Sequence, residues 1–534
     1  ALLPPTGPVK LVASIDGDPT GTLKTQFSAT GAEDSISFDG TVQPGDLTAV
    51  KGEGHLALAL SDTSALVDKA GLAGVAAPPV KGEADVRFEQ GRSLTLDNVS
   101  GSSRLTGFSG RFSLAASQNG AALSGNLTLD SADIGGLVAA LGSPTALMTS
   151  KGKHWPDGPI SLGEAPRSTT GDIVVETPVL TLGSAQVATD AGFHLAWTAT
   201  GIGIHKFEAQ LGGGTVTADL GLCCAGPAAV KQIEGEAALK GVALDALLPP
   251  AAAATLSGTA NASGRFNGQG DSVEALLKDL TGDGSFEVTG LTVQKFDPKV
   301  FAAIAATPDL DKLEPGDLTQ RVSSSLDAGP LRLPRLEGSF TVAGGVLRLP
   351  NLGATAEGTR LFGGVTLNLA DLGLGGGFSL TPVGTLDAAG VVSETTAKVT
   401  AELSGTLAAP VRKLDIASMV SAIKVKALEV EVARLEALKA ADDARAAARA
   451  KASTAARKEA REDAQAAKLA ADQEAARKAA QAAADAAAKK AAADAAAKKA
   501  AADAAAKQAA EAAAASRPAP QQRPGPMDLG IPFQ

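Results

Sequence analysis

Apolar and polar residues alternate with a period of two through most of the first 416 residues, the signature of half-buried strands. Residues 255–290 (TLSGTANASGRFNGQGDSVEALLKDLTGDGSFEVTG) show the unit most fully. Leu256–Phe266 alternates small or apolar residues with polar ones and predicts a strand. Asn267–Gly270 predicts a turn. Asp271 or Ser272 then stands where it can cap a helix, and Val273, Leu276, Leu277 and Leu280 fall on one helical stripe. Thr281–Gly284 predicts the helix end, and Ser285–Val288 the next strand.

The same alternation predicts strands at Leu11–Ile15, Arg92–Leu96, Arg111–Leu114, Ile173–Val175 and Gly192–Trp197. It predicts others at Leu336–Val342, Gly345–Leu349, Val365–Leu369, Gly377–Leu380 and Lys398–Leu403. A phrase recurs at Gly54–Leu66, Gly125–Leu137 and Gly235–Leu247: a strand face, then a short helix. Asp62 and Asp133 share the slot where a helix cap belongs, and the third copy has Ala243 there. The copies are unevenly spaced, which excludes a solenoid of fixed period. Gly142-Ser-Pro144 predicts a break, and Met148–Arg167 reads as a Gly/Pro-rich loop and a boundary between subdomains. A short helix is predicted at Pro298–Ala306, then a polar connection at Asp309–Asp317. These helices read as too few and too short to cover all the apolar strand faces.

From about Asp415 the period changes. Val425, Leu428, Val432 and Leu435 are spaced as a short coiled-coil seam. Beyond Ala440 the chain is mostly alanine with charged residues, and alanine is the best helix former. Asp-Ala-Ala-Ala-Lys recurs at Asp485, Asp494 and Asp503, placing each acid four residues before Lys489, Lys498 or Lys507. This predicts a long solvated helix over 417–515, similar in composition to the Ala/Lys-rich helical spacers of periplasm-spanning proteins. Ser516–Gln534 is proline-rich and predicts a disordered tail.

Three pieces in order resemble the C-terminal region of the AsmA family. The first is Gly268-Gln-Gly270, Ser272–Leu280 and Gly282–Phe286, matching a strand ending in G-x-G, then S-x-x-A-L-L-x-x-L, then G-x-G-x-F. The second is Leu336–Leu347, and the third Leu403–Asp415 is similar to the closing motif of alphaproteobacterial members. The resemblance covers about Glu234 to Leu438. It implies a periplasmic protein anchored in the inner membrane, with a long β-groove linked to outer-membrane assembly and phospholipid movement. It also implies an N-terminal transmembrane anchor. No run of about twenty apolar residues is present, and the chain starts at Ala1, so the anchor is expected to precede this sequence.

Composition agrees with many short strands. Glycine numbers 60, tyrosine is absent and aromatics make up 3%, an unusual balance for a compact enzyme. A net charge of -10 argues against a nucleic-acid partner. Acids exceed bases up to about residue 420, and bases exceed acids beyond it.

No catalytic or cofactor motif emerges. His55, His154, His194 and His205 lack zinc-ligand spacing, although His194 and His205 are close enough to lie on adjacent strands. Cys223 and Cys224, adjacent on a strand, are expected on opposite faces as small, at least half-buried residues, because a bond between them is strained. Gly268–Gly270 before a helix reads as turn and cap, since Asp271 repels an anion. No cofactor and no metal are expected. The expected fold is mainly β: an elongated antiparallel groove with short capping helices, then the long helix. The divisions are 1–250 (repeated strand/helix segment), 251–416 (AsmA-like region), 417–515 and 516–534. Phe286, Val288, Phe340, Val342, Leu347, Leu349, Leu367, Leu369, Phe378 and Leu380 are expected to face phospholipid acyl chains, if they do not fill an ordinary sandwich core. The other reading is a non-enzymatic structural protein whose Ala-rich helix spans the periplasm or binds an envelope partner.

Overall fold

The structure, a computed structural model, describes residues 8–45, 49–64, 78–103, 106–117, 120–162, 167–183, 185–224, 230–308, 310–387, 390–462, 476–491, 493–496 and 498. The chain divides into two compact units, Ala1–Glu431 and Val432–Gln534. The expected proline-rich tail lies outside the described residues, as does the third Asp-Ala-Ala-Ala-Lys phrase.

The first unit is mainly β, as the alternation predicts, and its strands join in one large sheet of twenty-two strands among the described residues. β1 (Lys10–Gly17), β2 (Leu23–Thr30), β3 (Ser35–Gln43), β4 (Lys51–Leu60), β5 (Val80–Glu89), β6 (Ser93–Ser103), β7 (Gly107–Ser117) and β8 (Gly120–Leu129) pair antiparallel in chain order. After the two-residue β9 (Ala132–Asp133), β10 (Thr169–Leu182) runs parallel to β8 and β9. Antiparallel order then resumes through β11 (Ala185–Trp197), β12 (Gly201–Leu211), β13 (Gly214–Cys223), β14 (Lys231–Ala243), β15 (Leu256–Gly270) and β16 (Thr281–Val293). It continues through β17 (Leu331–Ala343), β18 (Val346–Ala356), β19 (Thr359–Asn368), β20 (Leu374–Pro382), β21 (Val399–Thr406) and β22 (Ala409–Asp415). β1 and β22 do not pair, so the sheet is not closed.

Two expected turns belong to strands. Asn267–Gly270 completes β15, and Gly282 and Gly284 lie within β16. Glycine is required at Gly284 by close approach. A Cβ there would sit 2.3 Å from the Phe340 ring and 2.3 Å from the Ser263 carbonyl oxygen. Glycines that signal turns in isolation here make room for rings lying flat on neighbouring strands.

Several strands carry a one-residue bulge that shifts the alternation. Val99 follows Leu96, Phe207 follows Ile204 and Leu352 follows Leu349, three apart instead of two, and the pairing register shifts at each step. Asn98, Lys206 and Asn351 inside these steps take φ of 52°, 52° and 57°. A left-handed residue of this kind bends the strand and keeps the following apolar residues on the same face. Asparagine tolerates that conformation better than lysine does.

The recurring phrase maps onto strand ends. Asp133 caps α1 (Ile134–Gly142), accepting from the Gly136 N–H at 2.9 Å. Asp62 accepts from the Ser64 N–H at 2.8 Å. After β14 the chain forms a 3₁₀ turn, Leu244–Ala246, with Ala243 offering no side-chain cap, and then one helical turn, Pro250–Ala253. Ser272, one of the two expected caps, starts α2 (Val273–Asp279) by accepting from the Ala275 N–H at 3.2 Å.

Helices α3 (Val300–Ala305) and α4 (Pro315–Asp327) follow β16. The sequence pattern predicts only a polar connection where α4 begins. Leu318, Val322 and Leu326, four residues apart and all within 1% of full burial, are the stripe it overlooked. α5 (Ala417–Glu462) opens with Met419, Val420 and Ile423 buried in the first unit. Val425, Leu428, Val432 and Leu435 are 54–65% exposed along the expected seam. Residues 476–491, which hold Asp485 and Lys489, are helical too.

Candidate functional site

One face of the sheet is apolar from β1 onward, and register explains why. Ala29, Ile36, Leu58, Gly82, Gly101 and Phe108 are successive cross-strand partners from β2 to β7. Leu11 extends the row onto β1 and Leu129 onto β8. Side chains two residues apart share a face, so each strand adds a parallel row. The opposite face is charged: Arg87 pairs with Glu53 at 3.4 Å and Arg111 with Asp97 at 2.5 Å.

Over β1–β6 the apolar face is part open and part shut: Ala29, Leu60, Ala84 and Val86 are buried on it, while its β1 edge is exposed. Leu11 and Ile15 are 66% and 64% exposed, and Phe27 is 37% exposed. Among the described residues, none of the packed cores includes a residue of these strands. Phe38 lies flat across Gly54, where a Cβ would come within 2.8 Å of its ring. The rings thus floor the face instead of standing above it.

At mid-sheet the face is covered, because parallel strands need a long return path between their ends. The return from β8 to β10 is described over residues 134–162. Leu137 and Val138 of α1 pack against the same buried cluster as Phe112, Leu123 and Leu127 of the sheet. The following segment sinks Ile160 and Leu162, 6% and 2% exposed, onto Phe193 and Trp197. Its far side is tied to α2 and the β19 end. The Ile160 N–H donates to the Asp271 carbonyl at 2.8 Å and the Glu274 N–H to the Pro156 carbonyl at 2.9 Å. Trp155 Nε1 donates to the Leu369 carbonyl at 2.6 Å. The stretch expected to be a boundary loop is therefore a crossover laid across the sheet.

Lys153 reaches Glu274 at 2.7 Å, and Lys278 reaches it at 2.8 Å. These partners, the Lys153 hydrogen bond first, hold the Glu274 carboxyl below the usual carboxylate range. Its folded pKa lies below the unfolded value, so its contribution is complete above the ordinary carboxylate pKa, about 4.3. That contribution is lost as pH falls through the lowered value. Emission from the half-buried Trp155 is expected to shift to the red only in acid below that range, and Glu274→Gln should abolish this transition. A transition near neutral pH, or one unchanged by Glu274→Gln, sinks this account of the tie.

Toward the C-terminus the face closes. β17 and β18 pair only over Thr341–Ala343 and Val346–Arg348, then part. Residues of β15–β17 and β19–β21 meet around α3, α4 and the start of α5 in one packed core. The helices, expected to be too few to cover the strands, suffice here. Arg412 fastens this end, donating to the Lys295 carbonyl and to Asp327 at 2.6 Å, with its guanidinium 6.0 Å from the Phe296 ring.

The ten residues expected to face acyl chains are divided by this closure. Val288 and Leu380, 8% and 0% exposed, belong to the packed core, and half-buried Phe286 and Phe378 pack against it. Val342, Leu347 and Leu367 are cross-strand neighbours in one half-buried row, with Leu349 opposite Val365 in the next. Phe340 covers Gly284 and Gly264. Leu369 lies just past β19, its carbonyl taken by Trp155. The more exposed apolar residues Leu11, Ile15 and Phe27 were not singled out. Their signal was the same alternation, but nothing in it tells an open face from a covered one.

Three of the four histidines serve the polar face, and His154 lies in the crossover. His194 and His205 are direct cross-strand partners, and each hydrogen-bonds its own aspartate, Asp172 at 2.9 Å and Asp219 at 2.6 Å. The Lys206 N–H first, and His205 next, hold the Asp219 carboxyl below its usual range. His55 pairs with Asp85 at 3.2 Å. Among the described residues no group of three or more His, Cys, Asp or Glu is placed to hold a metal.

The cysteines correct the expectation of opposite faces. β13 ends at Cys223, the peptide to Cys224 is cis, and the two sulfurs are joined as a vicinal disulfide. Lys231, 1% exposed, donates to the Cys224 carbonyl at 2.9 Å, and burial pushes its ammonium pKa down.

No protein-family profile, curated protein or solved structure matches the chain. No described helix is long and apolar enough to cross a membrane.

Proposed function

We propose that this chain is a non-enzymatic, AsmA-like protein of the periplasm that holds phospholipid acyl chains on its apolar sheet face and guides them toward the outer membrane. In this reading the full-length protein is anchored in the inner membrane. The observation that carries it is the open β1–β2 edge of the apolar face, where Leu11, Ile15 and Phe27 stand exposed to solvent. An acyl chain leaving a bilayer for water loses about 0.8 kcal/mol per methylene, on the order of 10 kcal/mol for a full chain. A surface that replaces the bilayer's apolar contacts removes that barrier without covalent chemistry. The face needs breadth and continuity, and the cross-strand rows provide both.

Lipid extraction and native mass spectrometry on the detergent-free protein test this. Phospholipid is expected to co-purify and to be lost in Ile15→Asp/Phe27→Asp, whose exposed positions spare the fold. A protein that carries no lipid and takes none from vesicles turns the reading to its alternative. That alternative is a structural protein that binds an envelope partner, favoured by the exposed seam Val425, Leu428, Val432 and Leu435 on α5.

A further inference from the structure

We infer that the apolar face is two compartments, not one track, and that the crossover of residues 134–162 is the wall between them. Acyl chains then occupy only the β1–β6 side. This rests on the lipid-holding reading above and locates its binding site.

The parallel pairing of β8 with β10 makes the wall unavoidable, since a chain returning to the same end of the sheet must pass over one face. It passes over the apolar one, because α1 and the segment after it carry the apolar residues that face can bury. The wall is seated at both levels. On the floor, Ile160 and Leu162 are buried on Phe193 and Trp197. At the strand ends, backbone bonds to Asp271 and from Glu274, the Lys153–Glu274 ion pair and the Trp155–Leu369 bond hold it. An acyl chain passing beneath would have to displace these contacts together.

The two sides differ accordingly. Beyond the wall, α3, α4 and the first turns of α5 fill much of the face of β15–β17 and β19–β21, leaving the row Val342, Leu347 and Leu367 half-buried. Before it, β1–β6 contribute to no packed core among the described residues. From β1 to β6 this compartment measures roughly 24 Å at about 4.8 Å per strand. A bilayer's hydrocarbon core is about 30 Å thick, so one leaflet's chain, roughly 15 Å, fits across these strands.

The test uses the full chain and vesicles of phosphatidylethanolamine and phosphatidylglycerol doped with a phosphatidylcholine bearing a diazirine at one acyl terminus. After irradiation and digestion, adducts are mapped by mass spectrometry. They are expected on β2–β6 peptides, around Phe27, Phe38 and Phe88, and to be absent beyond the wall, around the half-buried Val342, Leu347 and Leu367. Equal adduct yield on both sides overturns the wall while leaving lipid binding intact. Absence of adducts everywhere overturns the lipid reading and this inference with it.

Discussion

Trp197→Ala is expected to destabilise the first unit by about 3–5 kcal/mol, the range for removing a buried aromatic from a core that cannot collapse around it. Trp197 is 2% exposed, and its Nε1 donates to Thr169 Oγ1 at 3.1 Å. Its ring lies on Gly171, where a Cβ would come within 2.2 Å. It is also part of the floor on which Ile160 and Leu162 sit. Loss of the ring therefore removes three things at once: core contacts, a buried hydrogen bond and the seat of the crossover. Urea unfolding followed by circular dichroism measures the change. A loss below about 1 kcal/mol, within reach of ordinary exposed substitutions, means that the crossover is not packed on this ring.

Leu380→Asp is expected to have the second large effect, several kcal/mol, because it forces a carboxylate into a site with no partner. Leu380 is 0% exposed, and its cross-strand partners are Leu361 and Val399, both in the same core. The substitution should lower thermal stability sharply, and the carboxyl should bind a proton on folding, so stability recovers in part as pH falls. Contrast with Ile15→Asp/Phe27→Asp separates packing from ligand contact: those exposed changes should remove lipid with little loss of stability. Were Leu380→Asp tolerated as well as they are, the C-terminal face would be open and the closed core wrong.

These two sites show how far sequence reasoning reaches. The alternation that marked Leu380 as apolar is the same that marks Ile15, since both obey the period of a strand with one apolar face. Period does not report what lies opposite. The closure over Leu380 depends on α4, whose stripe of Leu318, Val322 and Leu326 is legible but broken up by polar residues. It depends also on the parting of β17 from β18, which has no local signal. Gly284 misled for a related reason: a glycine that permits a turn and one that makes room under a ring look alike until the neighbouring strand supplies Phe340.

Local rules settled what local energies decide. The alternation determined the strands and the apolar face, the capping positions at Asp133 and Ser272 determined where α1 and α2 begin, and the change of period near residue 415 determined the long helix. Each depends on residues within a few positions of one another along the chain. Only the tertiary structure decided that β10 runs parallel to β8, that Trp155 meets Leu369 and Lys153 meets Glu274, and hence where the apolar face is open and where it is shut. Those pairings join residues up to 214 positions apart. They arise because a return path must bury its own apolar residues somewhere, and the nearest apolar surface is the face it crosses.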